Sequence, residues 1–384
     1  MTGGALDGVR VLDFTWVGAG SLTTRLLADH GADVIKVESR SHLDSLRTSP
    51  PFAGGRRDGV DRSGYFAERN TSKRSICLNL RTDEGRALAR RLAARSDVVA
   101  NNFRPGVMER FGLGYDALHA EDPSLIYLSM SMQGGTGPHS EYLGYGLTIG
   151  ALVGLHDLTG LPDRYPCGTG TNYPDHVPNP GHAAFAVLAA LRHRRRTGEG
   201  QLIDVAQTEP TLAGLGPTLL RYLRDDLVEQ RTGNHHDGYV FHGVLPCAGD
   251  DRWLAVSAED EAQWTALCET LGGTPDPERT VTRDAYELMA TLQARGVAAA
   301  IVQDVADLVE RDPQLAHRDH WLRMEHAVMG ECLYGAPPFR LSATPGGPRS
   351  AAPLLGEHTA TVLHELLGLP PDEIAALEAQ EILW

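Results

Sequence analysis

No run of about 18 uninterrupted apolar residues occurs along the 384-residue chain, which leaves no candidate for a membrane-spanning helix. The opening, Met1 to Gly8, lacks a basic start followed by an apolar run, so no secretory signal is expected. Cysteine is sparse. Cys77, Cys167, Cys247, Cys268 and Cys332 are odd in number, far apart, and form no Cys-x-x-Cys. That pattern argues against a disulfide framework and a zinc site, and no metal is expected; it fits small core residues in a reducing, cytoplasmic compartment. Positive charge is also in short supply. Lys and Arg total 35 against 50 Asp and Glu, a formal net charge of -15, which argues against nucleic acid or an anionic membrane as partner. An anionic ligand meets the same repulsion, so any phosphate site has to be built locally from cations and backbone N–H groups.

What is present reads as an ordinary globular chain, 42% hydrophobic and 22% charged, long enough for about two domains. Short apolar runs at Val9 to Phe14, Val34 to Glu38, Ser75 to Leu80, Val98 to Ala100 and Leu125 to Met130 alternate with helical patterns at Ser21 to His30 and Thr82 to Ala94. This is the pattern of a parallel sheet covered by helices. A helix is expected from Gly181 to Arg196, with Asn179-Pro180 as its start, arginines at its end and Gly198 as its stop. It is apolar nearly all round from Ala183 to Leu191, which predicts burial. A strand follows at Gln201 to Val205. The chain turns polar near Arg231 to Gly238, where a smaller α+β domain is expected to begin, with a strand at Trp253 to Ser257 and helices at Asp260 to Leu271 and Arg283 to Ala294. The domains are placed at 1–225, 226–335 and 336–384, the last segment being extended over Pro337 to Pro353 and closing on a helix at Glu357 to Leu367.

Three local patterns bear on chemistry. Gly18-Ala19-Gly20 follows the first strand, and Glu38 falls about 20 residues on, where a dinucleotide-binding protein places its ribose acid. Thr23 stands in place of the third glycine, and a plain strand-to-helix turn explains the motif equally well. An NAD-binding oxidoreductase is therefore one alternative. Asn102-Phe103-Arg104-Pro105-Gly106 lies where open α/β sheets bind ligands; Phe103 can pack on a base, and Arg104 or Arg110 can pair with phosphate. On local sequence a plain surface loop is the simpler reading. Asp175, in Tyr173-Pro174-Asp175-His176-Val177-Pro178-Asn179-Pro180, precedes the long helix. Its carboxylate is expected to be held ionised by the helix dipole and N–H groups, although a loop Asp fixing a turn is favoured locally. His235-His236-Asp237 lacks metal-site spacing.

Taken together these pieces resemble the class III CoA-transferase family, which includes formyl-CoA and crotonobetaine CoA-transferases and the related 2-methylacyl-CoA racemases. The similarity spans nearly the whole chain: Leu6 to Phe14, Gly31 to Glu38, Asp44 and Arg47, Asn70 with Lys73-Arg74-Ser75, Asn102 to Arg110, Thr136-Gly137-Pro138, Arg195 to Gln201, and Pro353 to Thr359. The resemblance implies a large Rossmann-like α/β domain shared by both ends of the chain, a smaller α+β domain, and an interlocked homodimer. It implies acyl-CoA and a carboxylic acid as substrates, with no tightly bound cofactor. It carries CoA contacts onto Gly18, Ala19, Leu78, Asn79, Leu80, Arg81, Asn102, Phe103, Arg104 and Arg110, and the covalent aspartate onto Asp175. Ser39 stands where formyl-CoA transferase has an arginine, with Arg40 as the substitute. The spacing from Asp175 to Gly181 looks like the branch acting on larger carboxylates, such as the benzylsuccinate enzymes. A racemase needs an acid and a base on opposite faces of one carbon. The family's racemases carry a histidine where this chain has Tyr145, which counts against that alternative.

Overall fold

The computed structural model describes residues 3–384. Packing divides the chain into a larger unit of Met1–Val153, Gly170–Gly216 and Asp319–Trp384 and a smaller one of Gly154–Thr169 and Pro217–Arg318.

In the larger unit the apolar runs become β1 (Arg10–Asp13), β2 (Asp33–Glu38), β3 (Arg74–Cys77), β4 (Val98–Asn101), β5 (Ile126–Ser129) and β6 (Leu202–Asp204). They form one parallel sheet in the order β3-β2-β1-β4-β5-β6. Leu12 of β1 pairs with Ile35 of β2 on one side and Val99 of β4 on the other. The order runs outward in both directions from β1 and β4. Connections after these two strands therefore leave toward opposite ends of the sheet, and their carboxyl ends flank a crevice.

Both faces of this sheet are covered. Alternate side chains point to opposite faces. Leu12, Ile35, Ile76 and Val99 pack on one face with Leu88 and Leu92 of the helix Asp83–Ala93 and with Val362, Leu363 and Ile374 from the end of the chain. Val11, Val34, Val98 and Ile126 pack on the other face with Leu27 of the helix Val17–Ala28 and with Ala183, Val187 and Leu191 of the helix Pro178–Thr197. Both ends of the chain thus contribute to one core. A further helix, Pro371–Ala379, follows the expected last one.

Several expectations shift. The long helix begins at Pro178 rather than after Asn179, since either proline is tolerated in a first turn that needs no N–H donor. It is not buried all round: Phe185 is 71% exposed, because the sheet covers only one of its apolar faces. Gly18-Ala19-Gly20 is not a loop, for the first helix already starts at Val17.

The smaller unit carries an antiparallel sheet of β7 (Phe241–Pro246), β8 (Trp253–Ala258) and β9 (Ala298–Ile301). Its core combines Leu254 and Val256 with Leu267, Leu271, Leu288 and Leu292 from two helices. Asp260 caps the first of these, accepting the Gln263 N–H at 2.8 Å. The hairpin of β10 (Trp321–His326) and β11 (Gly330–Gly335) falls in the larger unit, which resumes at Asp319 and not at residue 336. The reason is Tyr334, buried in a cluster with Leu46, Phe66 and Ala352.

Candidate active site

A cavity of about 800 Å³ lies at the crevice between the carboxyl ends of β1 and β4. Loops after all six strands of the sheet contribute to its wall: Trp16 and Gly18 after β1, Ser39 and His42 after β2, Leu78 to Arg81 after β3, Asn102 to Arg104 after β4, Ser131 and Met132 after β5, and Gln207 after β6. Asp175 completes it.

The turn out of β1 is held by charge from below. Lys36 and Lys73 are fully buried. Lys73 Nζ reaches Asp13 at 3.0 Å and donates to Ser21 O, Thr24 Oγ1 and Asn70 Oδ1. Lys36 Nζ pairs with Asp44 at 3.1 Å and donates to Thr15 O at 2.6 Å. Burial pushes the Asp13 carboxyl up, but Lys73, Lys36 and the Thr15 and Thr24 hydroxyls prevail and hold it below its ordinary value. Asp44 in turn accepts the Val17 N–H at 3.3 Å. Val17 has φ 58°, a left-handed backbone that costs a β-branched residue of the order of 1–3 kcal/mol and persists only when its surroundings fix it. Asn102 supplies the second constraint. Its amide accepts the Trp16 N–H at 2.8 Å and donates to Trp16 O at 2.7 Å. Expected as a ligand contact, Asn102 clamps the β1 loop, while Phe103 meets the Trp16 ring edge-on at 5.4 Å.

Asp175 is treated differently. It lies in the first turn of the short helix Tyr173–His176 and is 3% exposed. Its Oδ2 accepts the Gly146 N–H at 2.9 Å, and Asp175 forms no salt bridge among the described residues. Burial pushes its carboxyl up to about 6, against the smaller opposing effects of Gly146 and Arg69. The expectation that a helix dipole holds it firmly ionised is therefore corrected, since burial outweighs one N–H. Two glycines make room for it. A Cβ on Gly18 would lie 3.0 Å from Asp175 Cβ, and one on Gly146 would lie 3.1 Å from its Cγ and 2.8 Å from Asn172 Cβ. Beside it, burial and Arg69 push His176 down to about 4, so its ring is neutral at pH 7 and bridges Tyr65 at 3.2 Å and Thr171 at 3.0 Å.

Of the residues singled out from sequence, Gly18, Ala19, Leu78, Asn79, Leu80, Arg81, Asn102, Phe103, Arg104 and Asp175 share this one cavity. Arg40 and Arg110 are exposed and off its wall; the Arg40 guanidinium lies 5.8 Å from the Trp384 ring. Glu38 is not a free ribose acid. Arg47 forks onto both its oxygens at 2.7 Å and Ser75 donates to it at 2.6 Å, which removes the basis of the NAD-binding reading. His139, His176, His182 and His235 do not line the cavity, so none of them stands in there for the histidine of the family's racemases. Trp16, His42, Ser131, Tyr145 and Gln207 do line it and were not singled out as ligand contacts. No local pattern marks them, because the strand order alone brings them together. Among the described residues no group of three or more His, Cys, Asp or Glu is placed to hold a metal ion, and no helix is long and apolar enough to cross a membrane.

The profile of CoA-transferase family III matches residues 6–280 and 277–359. The chain belongs to this family. It is 32% identical to a succinyl-CoA–D-citramalate CoA-transferase of Chloroflexus aurantiacus, over 98% of each chain. It is 35% identical to a succinyl-CoA:mesaconate CoA-transferase of Haloarcula marismortui, over 94% of this chain and 96% of that one. A CAIB/BAIF family protein from Brucella suis superposes with a TM-score of 0.86 at 33% identity, covering 95% of this chain and all of that one. The protein is a CoA-transferase, and its cavity sits where open α/β sheets hold their ligands.

The buried carboxylate of this CoA-transferase carries a stability cost with a definite pH signature. Asp175 titrates at about 6 when folded against an ordinary value of 3.8. The folded state therefore binds the proton more tightly, and stability falls as pH rises from about 4 through 6. Asp175→Asn should raise unfolding free energy by about 2–3 kcal/mol at pH 8 and leave it nearly unchanged at pH 4. Urea titrations of both proteins at the two pH values check this; equal stabilities at pH 8 would contradict it.

Proposed function

We propose that Asp175 is the nucleophile of the transfer and that the donor is the CoA thioester of a small dicarboxylic acid, as the names of the relatives indicate for those proteins. The observation carrying the first part is the environment of Asp175: a buried carboxylate on the wall of the switch-point cavity, with one N–H on Oδ2 and room provided by Gly18. A carboxylate near 6 is ionised at neutral pH and yet poorly solvated, which favours attack on a thioester.

The steps balance without a cofactor. An Asp175 oxygen attacks the donor thioester carbonyl, the C–S bond breaks, and CoA thiolate leaves behind a mixed anhydride. The thiolate attacks Asp175 Cγ, the anhydride C–O bond breaks, and the donor acid departs as carboxylate, leaving an aspartyl-CoA thioester. An acceptor carboxylate attacks Cγ and expels the thiolate. The thiolate then attacks the acceptor carbonyl, giving the new thioester and restoring the Asp175 carboxylate. Gly146 N–H supports the oxyanion that forms on the aspartyl carboxyl. No proton is gained or lost. Arg81 and Arg104, with the Trp16–Phe103 aromatic pair, supply the cations and flat surfaces that a nucleotide needs in a chain of net negative charge.

The protein works in this reading as a homodimer in a reducing, cytoplasmic setting. Five unpaired cysteines support the second point. Each unit carries exposed apolar side chains that support the first: Phe185 and Leu188 on the larger, Leu219, Leu220 and Leu223 on the smaller.

Asp175→Asn should lower kcat at least about 100-fold. Mass spectrometry after incubation with succinyl-CoA should find CoA on Asp175 in the native enzyme only; near-normal turnover of the folded variant sinks the assignment. The donor half-reaction should rise with pH through about 6, following the raised carboxyl, and level off above pH 7. Arg104→Ala should weaken CoA binding by about 1–3 kcal/mol, read by calorimetry; an unchanged affinity would place the phosphates elsewhere. Phe185→Glu should convert a dimer into monomers in sedimentation, and a native protein that sediments as a monomer would remove the dimer.

A further inference from the structure

Ser131 is 3% exposed, its Oγ has no hydrogen-bond partner among the described residues, and it lines the cavity. Leaving a buried hydroxyl unpaired costs about 1–3 kcal/mol, so an unpaired polar group in the wall of an otherwise largely apolar cavity is a recognition point awaiting its partner. Gln207 stands next to it. The Gln207 N–H donates to Ser131 O at 3.1 Å, and its side-chain Nε2 donates to Met130 O at 2.6 Å. That bond fixes the amide and uses one of its two hydrogens. Gln207 is 8% exposed and also lines the cavity.

The position of this pair within the cavity decides what it meets. Gln207 Oε1 lies 3.5 Å from Asn179 Nδ2, and Asn179, four residues beyond Asp175, is in the first turn of the following helix. Met132, next to Ser131, packs against Gly144, since a Cβ there would lie 2.6 Å from its sulfur. Two residues later Gly146 donates to Asp175. Ser131 and Gln207 therefore belong to the Asp175 end, whereas Arg81 and Arg104 come from the loops after β3 and β4. A thioester whose phosphates lie toward the arginines and whose carbonyl lies at Asp175 puts its acyl chain, and not its pantetheine, against Ser131.

We propose that Ser131, oriented beside Gln207, is a specificity residue that hydrogen-bonds an oxygen function on the acyl chain, so that this enzyme selects oxygenated acyl groups over plain alkyl ones. The inference rests on Asp175 as the acylation site. Two neutral donors match a hydroxyl, a carbonyl or one oxygen of a terminal carboxylate. An alkyl chain of the same length leaves both donors unpaired, which is how a polar pocket rejects an analogue lacking its oxygen.

Three four-carbon donors test this: butyryl-CoA, 3-hydroxybutyryl-CoA and succinyl-CoA, each followed by kcat/KM of the donor half-reaction and by mass spectrometry of the aspartyl-CoA adduct. Ser131→Ala should lower kcat/KM at least about tenfold for one or both oxygenated donors, which also tells hydroxyl from carboxylate. It should leave butyryl-CoA and free-CoA affinity within about twofold. Ser131→Thr, which keeps the hydroxyl, should restore most of the loss. An equal fall for all three donors, or no fall for any, overturns the proposal. Absence of adduct from native enzyme with every donor overturns the Asp175 reading and this inference with it.

Discussion

Lys36 and Lys73 carry two positive charges into the interior of the larger unit, and neither would be tolerable there without Asp13 and Asp44. Burial drives the Lys36 ammonium down, yet Asp44, Asp13 and Glu38 raise it above its ordinary value. Removing one partner from such a set strands the others, a loss of about 3–5 kcal/mol. What the arrangement secures is position. Lys36 holds Thr15 O and Asp44 together; Asp44 holds Val17 in its left-handed conformation; and the chain from Val17 onward presents Gly18 to Asp175. The surroundings of Asp175 thus depend on charges that lie off the cavity wall.

The contrast between the carboxylates follows from this. Asp13 and Glu38 are surrounded by cations and hydroxyls and stay below their ordinary values. Asp175 is as thoroughly buried but is given one N–H and a more distant Arg69, and it rises to about 6. Residues of one kind acquire a structural role or a reactive one through the number of compensating partners, not through depth. Pairing Asp175 as fully as Asp13 would stabilise the fold and hold its carboxyl low, as Asp13 is held.

Much of the larger unit was legible because its strands are short, continuous apolar runs between clear breakers, as Val98 to Ala100 and Leu125 to Met130 show. The helical pattern expected from Thr82 to Ala94 falls within one residue of the helix Asp83–Ala93, which Thr82 caps by accepting the Gly85 N–H. Other features depend on partners distant in sequence. Ala298–Ile301 is a strand only because β8 pairs with it, and the β10–β11 hairpin is bound to the larger unit through Tyr334. Ser131, His42 and Gln207 are unremarkable in their own segments, and strand order alone assembles them. The position of Asp175 was available only through likeness to a family, since a lone Asp before a helix fits a turn equally well. The raised titration of that residue was misjudged because burial is a property of the folded surroundings and is invisible in eight residues of sequence.

The full chain contains two lysines, and both are these interior ones. Every other positive side chain that does not depend on histidine protonation is a guanidinium, which stays charged across the whole physiological pH range. The folded surface therefore offers no lysine amine to acylating reagents, to acetyl donors or to ubiquitin-type conjugation. An enzyme that handles activated acyl thioesters, compounds that acylate exposed amines without assistance, has no side-chain amine of its own within their reach while it remains folded.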